Sequence, residues 1–163
     1  TVMSFVAESC GNFVQVFAFE IDKTNYGKLL KNASKISGVG RVRTFNTGLW
    51  DEVAEMPYNA NATQSVIAAD GKDTCHVTTL DEALRDEVVT YIKMDIEGAE
   101  LRALSGARSL VASQKPKLAI SIYHDVRHLW EIPLCIRRMN PNYRLYLRHH
   151  SPLAYDTVCY AIP

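Results

Sequence analysis

In the stretch VVTYIKMDIEGAELRAL, Val88 to Leu104, an apolar run meets two carboxylates and a glycine: Asp95, Glu97 and Gly98. A carboxylate at the tip of a buried strand has two ordinary uses. It can cap the following helix, whose first turn favours negative charge. It can also meet a ligand outside the carboxyl end of a parallel sheet. Asp95 follows seven residues of which only Thr90 and Lys93 are clearly polar, so its strand reads as buried. Gly98 allows a tight turn or the close approach of a ligand. Both uses stay open at this point. Glu20 raises the same question, because it ends the β-branched and aromatic run VQVFAFE. An acid in that position can accept two hydrogen bonds from a ribose diol. His124 closes ISIYH and precedes Asp125, which makes it a candidate general base. His149 and His150 alternate along one strand, so at most one of them faces a given pocket.

The elements that must hold these residues follow a βα rhythm. Val2, Phe5, Val6 and Phe13 suggest a short helix and its exit. Val14–Glu20 reads as a strand. Asp22 or Thr24 caps a helix whose face carries Tyr26, Leu29, Leu30, Ala33 and Ile36, and Ser37–Gly40 stops it. Arg41–Asn46 is the next strand and leads to TGLW. From Asp51 to Thr79, short strand-like pieces alternate with Asn, Asp and Gly, which predicts an antiparallel excursion. Thr79–Glu82 is a capping box for a helix to about Asp86. The strand Val88–Asp95 and a helix over Ala99–Val111 come next, ended by Pro116. Lys117–His124 is a buried strand. A helical segment then contains Pro133, tolerable at the first turn of a second helical piece. Tyr143–His150 and Thr157–Pro163 form a closing hairpin across the loop Ser151–Asp156. Strands alternating with helices imply a mostly parallel sheet covered on both faces.

At 163 residues the chain suits one domain with a sizeable core. Lysine plus arginine equals aspartate plus glutamate at 18 each, so no electrostatic reason points to nucleic acid. No apolar run reaches the roughly 18–20 residues that span a bilayer. Thr1–Phe13 has no basic start and reads as no signal peptide. Cys10, Cys75, Cys135 and Cys159 are scattered without C-x-x-C spacing, as expected of reduced thiols in a cytoplasmic protein.

The runs IKMDIEGAELRALSGA (Ile92–Ala107), PKLAISIYH, LWEIP, YLRHH and TVCYAIP resemble the FkbM family of S-adenosylmethionine-dependent methyltransferases. VFAFEIDKTNYGKLLKN is similar to that family's second strand and helix, with Ile21 where the family has proline. TGLWDE and TTLDEAL match intervening segments, so the resemblance covers essentially the whole chain. It implies an α/β, Rossmann-like methyltransferase sheet, mostly parallel with a C-terminal antiparallel hairpin. The family's opening strand and its loop of the type Asp-x-Gly-Ala-x-x-Gly have no counterpart here. The expectation is therefore a single, N-terminally incomplete methyltransferase domain over 1–163 that lacks a central strand.

The resemblance further implies S-adenosyl-L-methionine as cofactor and O-methylation of a sugar, glycolipid or polyketide-type hydroxyl. Carried over by residue, Glu20 binds the cofactor ribose, and Thr47, Gly48 and Leu49 flank the adenine. Asp95 lies by the cofactor's amino-acid or methyl end, while Glu97, Glu100 and His124 line the acceptor side. A hydroxyl is a poor nucleophile at neutral pH and needs a base or a metal. Asp95 and His124 are the candidate bases, with Glu97 beside them. No metal ligand is assigned, although magnesium on Asp95 and Glu97, with Asp125, is a variant. The expected partner is a small-molecule or carbohydrate acceptor, with a homo-oligomer left open. Competing readings are a nicotinamide-dependent oxidoreductase and a non-catalytic nucleotide-binding remnant. The chain has no Tyr-x-x-x-Lys, which argues against the short-chain kind of oxidoreductase.

Overall fold

The computed structural model describes residues 2–36, 42–60, 65–153 and 155–163. The chain forms two compact units, 1–48 with 55–76, and 49–54 with 77–163.

The first unit opens with α1 (Val2–Glu8), β1 (Val16–Phe19), α2 (Lys23–Ala33) and β2 (Val42–Phe45). Asp22 caps α2, its side chain accepting the Asn25 N–H at 2.8 Å. The expected stop at Ser37–Gly40 lies outside the described residues, as does Arg41. β1 and β2 pair in parallel from Val16↔Val42 to Phe19↔Phe45, and the last two rings stack at 4.6 Å. That register brings both strands to their carboxyl ends together, so Glu20 and Asn46 emerge side by side.

The predicted excursion is present as β4 (Ala54–Asn59), β5 (Val66–Ile67) and β6 (Asp73–Thr78), which with β3 (Gly48–Leu49), just ahead of it in the chain, form a sheet in the order β3-β6-β4-β5. β4 and β5 are antiparallel, with Tyr58 opposite Ile67. A Cβ at Gly71 would sit 2.3 Å from the Tyr58 nitrogen, so this turn admits only glycine.

The second unit adds α3 (Leu80–Ala83), β7 (Tyr91–Met94), α4 (Glu100–Ser105), α5 (Arg108–Gln114), β8 (Lys117–Ser121), α6 (His128–Met139), β9 (Arg144–His149) and β10 (Thr157–Ile162). Its sheet has the order β7-β8-β10-β9. β7 and β8 are parallel, whereas β10 is antiparallel to β8 and β9. The pairs from the alternating βα pattern are thus parallel, and the antiparallel ones come from the excursion and the closing hairpin. Ile92, Met94, Leu118, Ile120, Cys159 and Ala161 are buried from the strands, with Leu104, Val111, Ile132 and Ile136 from the helices. Tyr143 is fully buried and donates its hydroxyl to the Pro116 carbonyl at 2.6 Å.

Two helix expectations are corrected. The single helix over Ala99–Val111 is two helices, α4 ending at Ser105 and α5 starting at Arg108, with Gly106 between them packed so closely that a Cβ there would lie 2.0 Å from the Trp50 carbonyl oxygen. Asp81 then starts α5, accepting the Ser109 and Leu110 N–H groups at 2.9 and 2.8 Å. Pro133, expected near a helix start, lies inside the continuous α6. It removes one backbone donor, and the fully buried Ile132 and Ile136 on that helix offset the loss.

Candidate active site

β7 and β8 end together, since Met94 lies opposite Ile120. Asp95 therefore leaves the sheet beside the Ser121–His124 run. The Tyr123 hydroxyl donates to Asp95 Oδ1 at 3.0 Å, and Lys93 Nζ lies 3.3 Å from Oδ2. α4 is preceded by Ala99 at its N-cap position, with no side-chain cap bond. Asp95 is therefore not the cap of the following helix, which closes the capping alternative for this residue.

The turn after Asp95 is built from left-handed backbone, Glu97 at φ 55° and Gly98 at φ 98°. Glycine adopts this freely; glutamate does so at a cost of about 1–2 kcal/mol. Around this turn three carboxylates gather on one imidazole. His124 Nε2 lies 3.4 Å from Glu97 Oε2 and 3.7 Å from Asp95 Oδ1, and Nδ1 lies 2.9 Å from Glu100 Oε1. His128 Nδ1 stands 3.6 Å from Glu100 Oε2. Glu100 is fully buried and accepts the Ile96 N–H at 2.8 Å. The imidazole approaches are ion-pair distances without hydrogen-bond alignment. Glu100 Oε2, both ring nitrogens of His124 and His128 Nδ1 are buried with no aligned partner.

The charges tune one another. Burial lowers the proton affinity of His124, but its contact with Glu100 and the charges of Glu100, Glu97 and Asp95 outweigh this and hold its pKa above the ordinary imidazole value. Burial pushes the Asp95 carboxyl up, yet Lys93 and the hydroxyls of Ser121 and Tyr123 together hold it below the ordinary carboxylate value. Burial and the bond to Asp95 drive the Tyr123 phenol well upward, so it remains a donor.

In the first unit, Glu20 is half-buried just past β1. Its Oε1 accepts the Asp22 N–H at 2.9 Å. Asn46 Nδ2 donates to the Glu20 and Ile21 carbonyls at 2.8 and 3.2 Å. Burial raises the Glu20 pKa, and the Asp22 N–H opposes that shift. A pocket of about 220 Å³ adjoins, lined by Ile21, Asn46, Glu55, Thr74 and His76 among others. Thr47, Gly48 and Leu49 do not line it.

Within the second unit the structure gathers Asp95, Glu97, Glu100 and His124, while Glu20 belongs to the first unit. Asp125 is outside the cluster, bound through both oxygens to Arg127. His149 and His150 are hydrogen-bonded to Thr157 and Tyr160 on the hairpin. Sequence reasoning missed Lys93, Ser121, Tyr123 and His128. The signal for Tyr123 was its proximity to a strand tip, but its partner comes from 28 residues away.

Comparisons with known proteins bear on the family and the fold. The family model for the methyltransferase FkbM domain matches residues 1–151. The crystal structure of methyltransferase FkbM from Methylobacillus flagellatus KT superposes with a TM-score of 0.83 at 31% identity, over 98% of this chain and 40% of that one. This chain therefore spans well under half the length of that relative. No curated protein matches it significantly. Matched over 151 of its 163 residues, the chain belongs to the methyltransferase FkbM domain family.

Proposed function

We propose that this protein is an S-adenosylmethionine-dependent O-methyltransferase for a hydroxyl of a sugar, glycolipid or polyketide-type small molecule. The family match over residues 1–151 carries the reading. Glu20 fits the cofactor's ribose. Its Oε1 takes the Asp22 N–H and its burial disfavours the charge, so two hydroxyl donors from a diol would supply what burial removes. Ile21 and Asn46 line the pocket next to it, where a planar base would lie, with Thr47, Gly48 and Leu49 following in the chain. The cofactor, when bound, supplies an electrophilic methyl group on a positively charged sulfur. Asp95, ionised and outside a parallel strand end, suits the cationic amino-acid end of such a ligand.

Methylation of a hydroxyl releases its proton. Asp95, Glu97 and His124 are the candidates to take it, with Glu97 Oε2 and Asp95 Oδ1 3.4 and 3.7 Å from the imidazole Nε2. The test is calorimetry of the full-length protein with S-adenosylhomocysteine and, separately, NAD, followed by transfer of labelled methyl to a panel of sugars and polyketide alcohols. The expected result is binding of S-adenosylhomocysteine alone and a label in an ether product. Binding of NAD alone would establish the oxidoreductase instead, and binding of neither would leave a non-catalytic remnant.

A further inference from the structure

We infer that Asp95, Glu100 and His124 form a divalent-cation site whose donor set favours manganese, iron or zinc over magnesium or calcium. Each residue offers a donor atom, and the three atoms lie within 4.8 Å of one another. Ligand atoms about 2.0–2.2 Å from a common ion must lie within about 4.4 Å of each other, so small side-chain rotations close this set.

Burial supplies the second, independent observation. Glu100 is fully buried, and its Oε2 has no aligned hydrogen-bond partner, nor does either ring nitrogen of His124. Buried polar atoms are normally satisfied, so these leave acceptor and donor capacity that an ion or a water would fill. Charge points the same way. Asp95, Glu97 and Glu100 surround His124, and the Lys or Arg seen paired with them among the described residues is Lys93, on Asp95. A divalent cation neutralises that excess, whereas a water does not. One imidazole nitrogen and two carboxylates form a mixed set that suits a first-row transition ion; magnesium and calcium prefer oxygen alone. Three protein ligands leave coordination positions open, where an acceptor hydroxyl oxygen would be acidified.

This assignment differs from the one that spacing suggested. Asp125 is bound to Arg127, and Glu97 lies outside the three-residue set. The purpose of the site rests on the methyl-transfer reading, but cation binding requires neither cofactor nor acceptor. Full-length protein treated with chelator is titrated with manganese(II) alone, with free ion followed by electron paramagnetic resonance. One saturable site per chain is expected. Asp95→Asn and His124→Ala should each weaken it at least 10-fold, and Asp125→Asn should leave it unchanged. Asp95 is partly exposed, so Asp95→Asn is expected to fold, and a melting curve checks this for each variant. Absence of saturable binding would overturn the inference, as would binding indifferent to Asp95→Asn and His124→Ala or weakened by Asp125→Asn. S-adenosylhomocysteine affinity is measured on the same samples; if it binds and manganese does not, the cation site falls while the methyltransferase reading stands.

Discussion

Asp95→Asn separates a catalytic carboxylate from a structural one. The change keeps the volume and the acceptor for Tyr123 while removing one negative charge. Asp95 Oδ1 lies 3.7 Å from His124 Nε2, and its side chain is 38% exposed. The positive charge that develops on His124 as it takes the hydroxyl proton would interact with Asp95 at that distance by about 4 kcal/mol at an effective dielectric constant of 20. Partial exposure screens some of this, which leaves roughly 2.7 kcal/mol, or 100-fold in rate. The structural cost is much smaller. The Lys93 pair is on the surface and contributes at most about 1 kcal/mol, and no cap of α4 depends on Asp95. Melting should therefore fall by only about 2–4 °C. Single-turnover methyl transfer by the full-length protein reads the effect. A rate within threefold of the parent with normal melting would refute the role given to Asp95.

Other substitutions probe the surrounding structure. Glu20→Ala should weaken S-adenosylhomocysteine binding by tens-fold by calorimetry, the loss of roughly 2–3 kcal/mol of charge-assisted hydrogen bonding. Glu20 has a folded-state pKa raised by burial, so its ionised form at pH 7 opposes folding, and that opposition vanishes as pH falls through the raised value. Glu20→Gln should then melt no lower than the parent at pH 7, and cofactor affinity of the parent should decline below the raised pKa. Gly106→Ala places a Cβ 2.0 Å from the Trp50 carbonyl oxygen and should cost more than about 2 kcal/mol in urea unfolding. Asp81→Ala leaves two N–H groups at the start of α5 without their acceptor and should cost about 1–2 kcal/mol in the same assay.

Strand and helix periodicity exposed most elements because each has one buried face. The caps at Asp22 and Thr79 were legible for the same local reason: an acceptor side chain two or three residues before the donor. The tight fit at Gly106 was not legible, because what it packs against is the backbone of Trp50, distant in sequence. Pro133 misled for the opposite reason: the local rule against proline in helix interiors lost to the burial of Ile132 and Ile136. At the site, the acids at strand tips could be read from the sequence. Which acid pairs with His124 could not, since Glu100 reaches it only through the turn at Glu97 and Gly98.

That turn also bears on why the cluster exists. A sequence selected for stability alone would not hold glutamate at φ 55°, nor bury Glu100 without a lysine or arginine among its described partners. Both features cost folding free energy. Burial of a carboxylate against imidazoles in this way persists where the group is needed in that place for chemistry. Asp95, at the end of β7, gains two hydrogen-bond partners without capping a helix, while Glu97 and Glu100 are turned toward the imidazole of a neighbouring strand end. The sheet fixes His124 and Asp95, and the strained turn delivers the remaining carboxylates to them. The stability sacrificed there is the physical argument that these four side chains are kept to bind something charged.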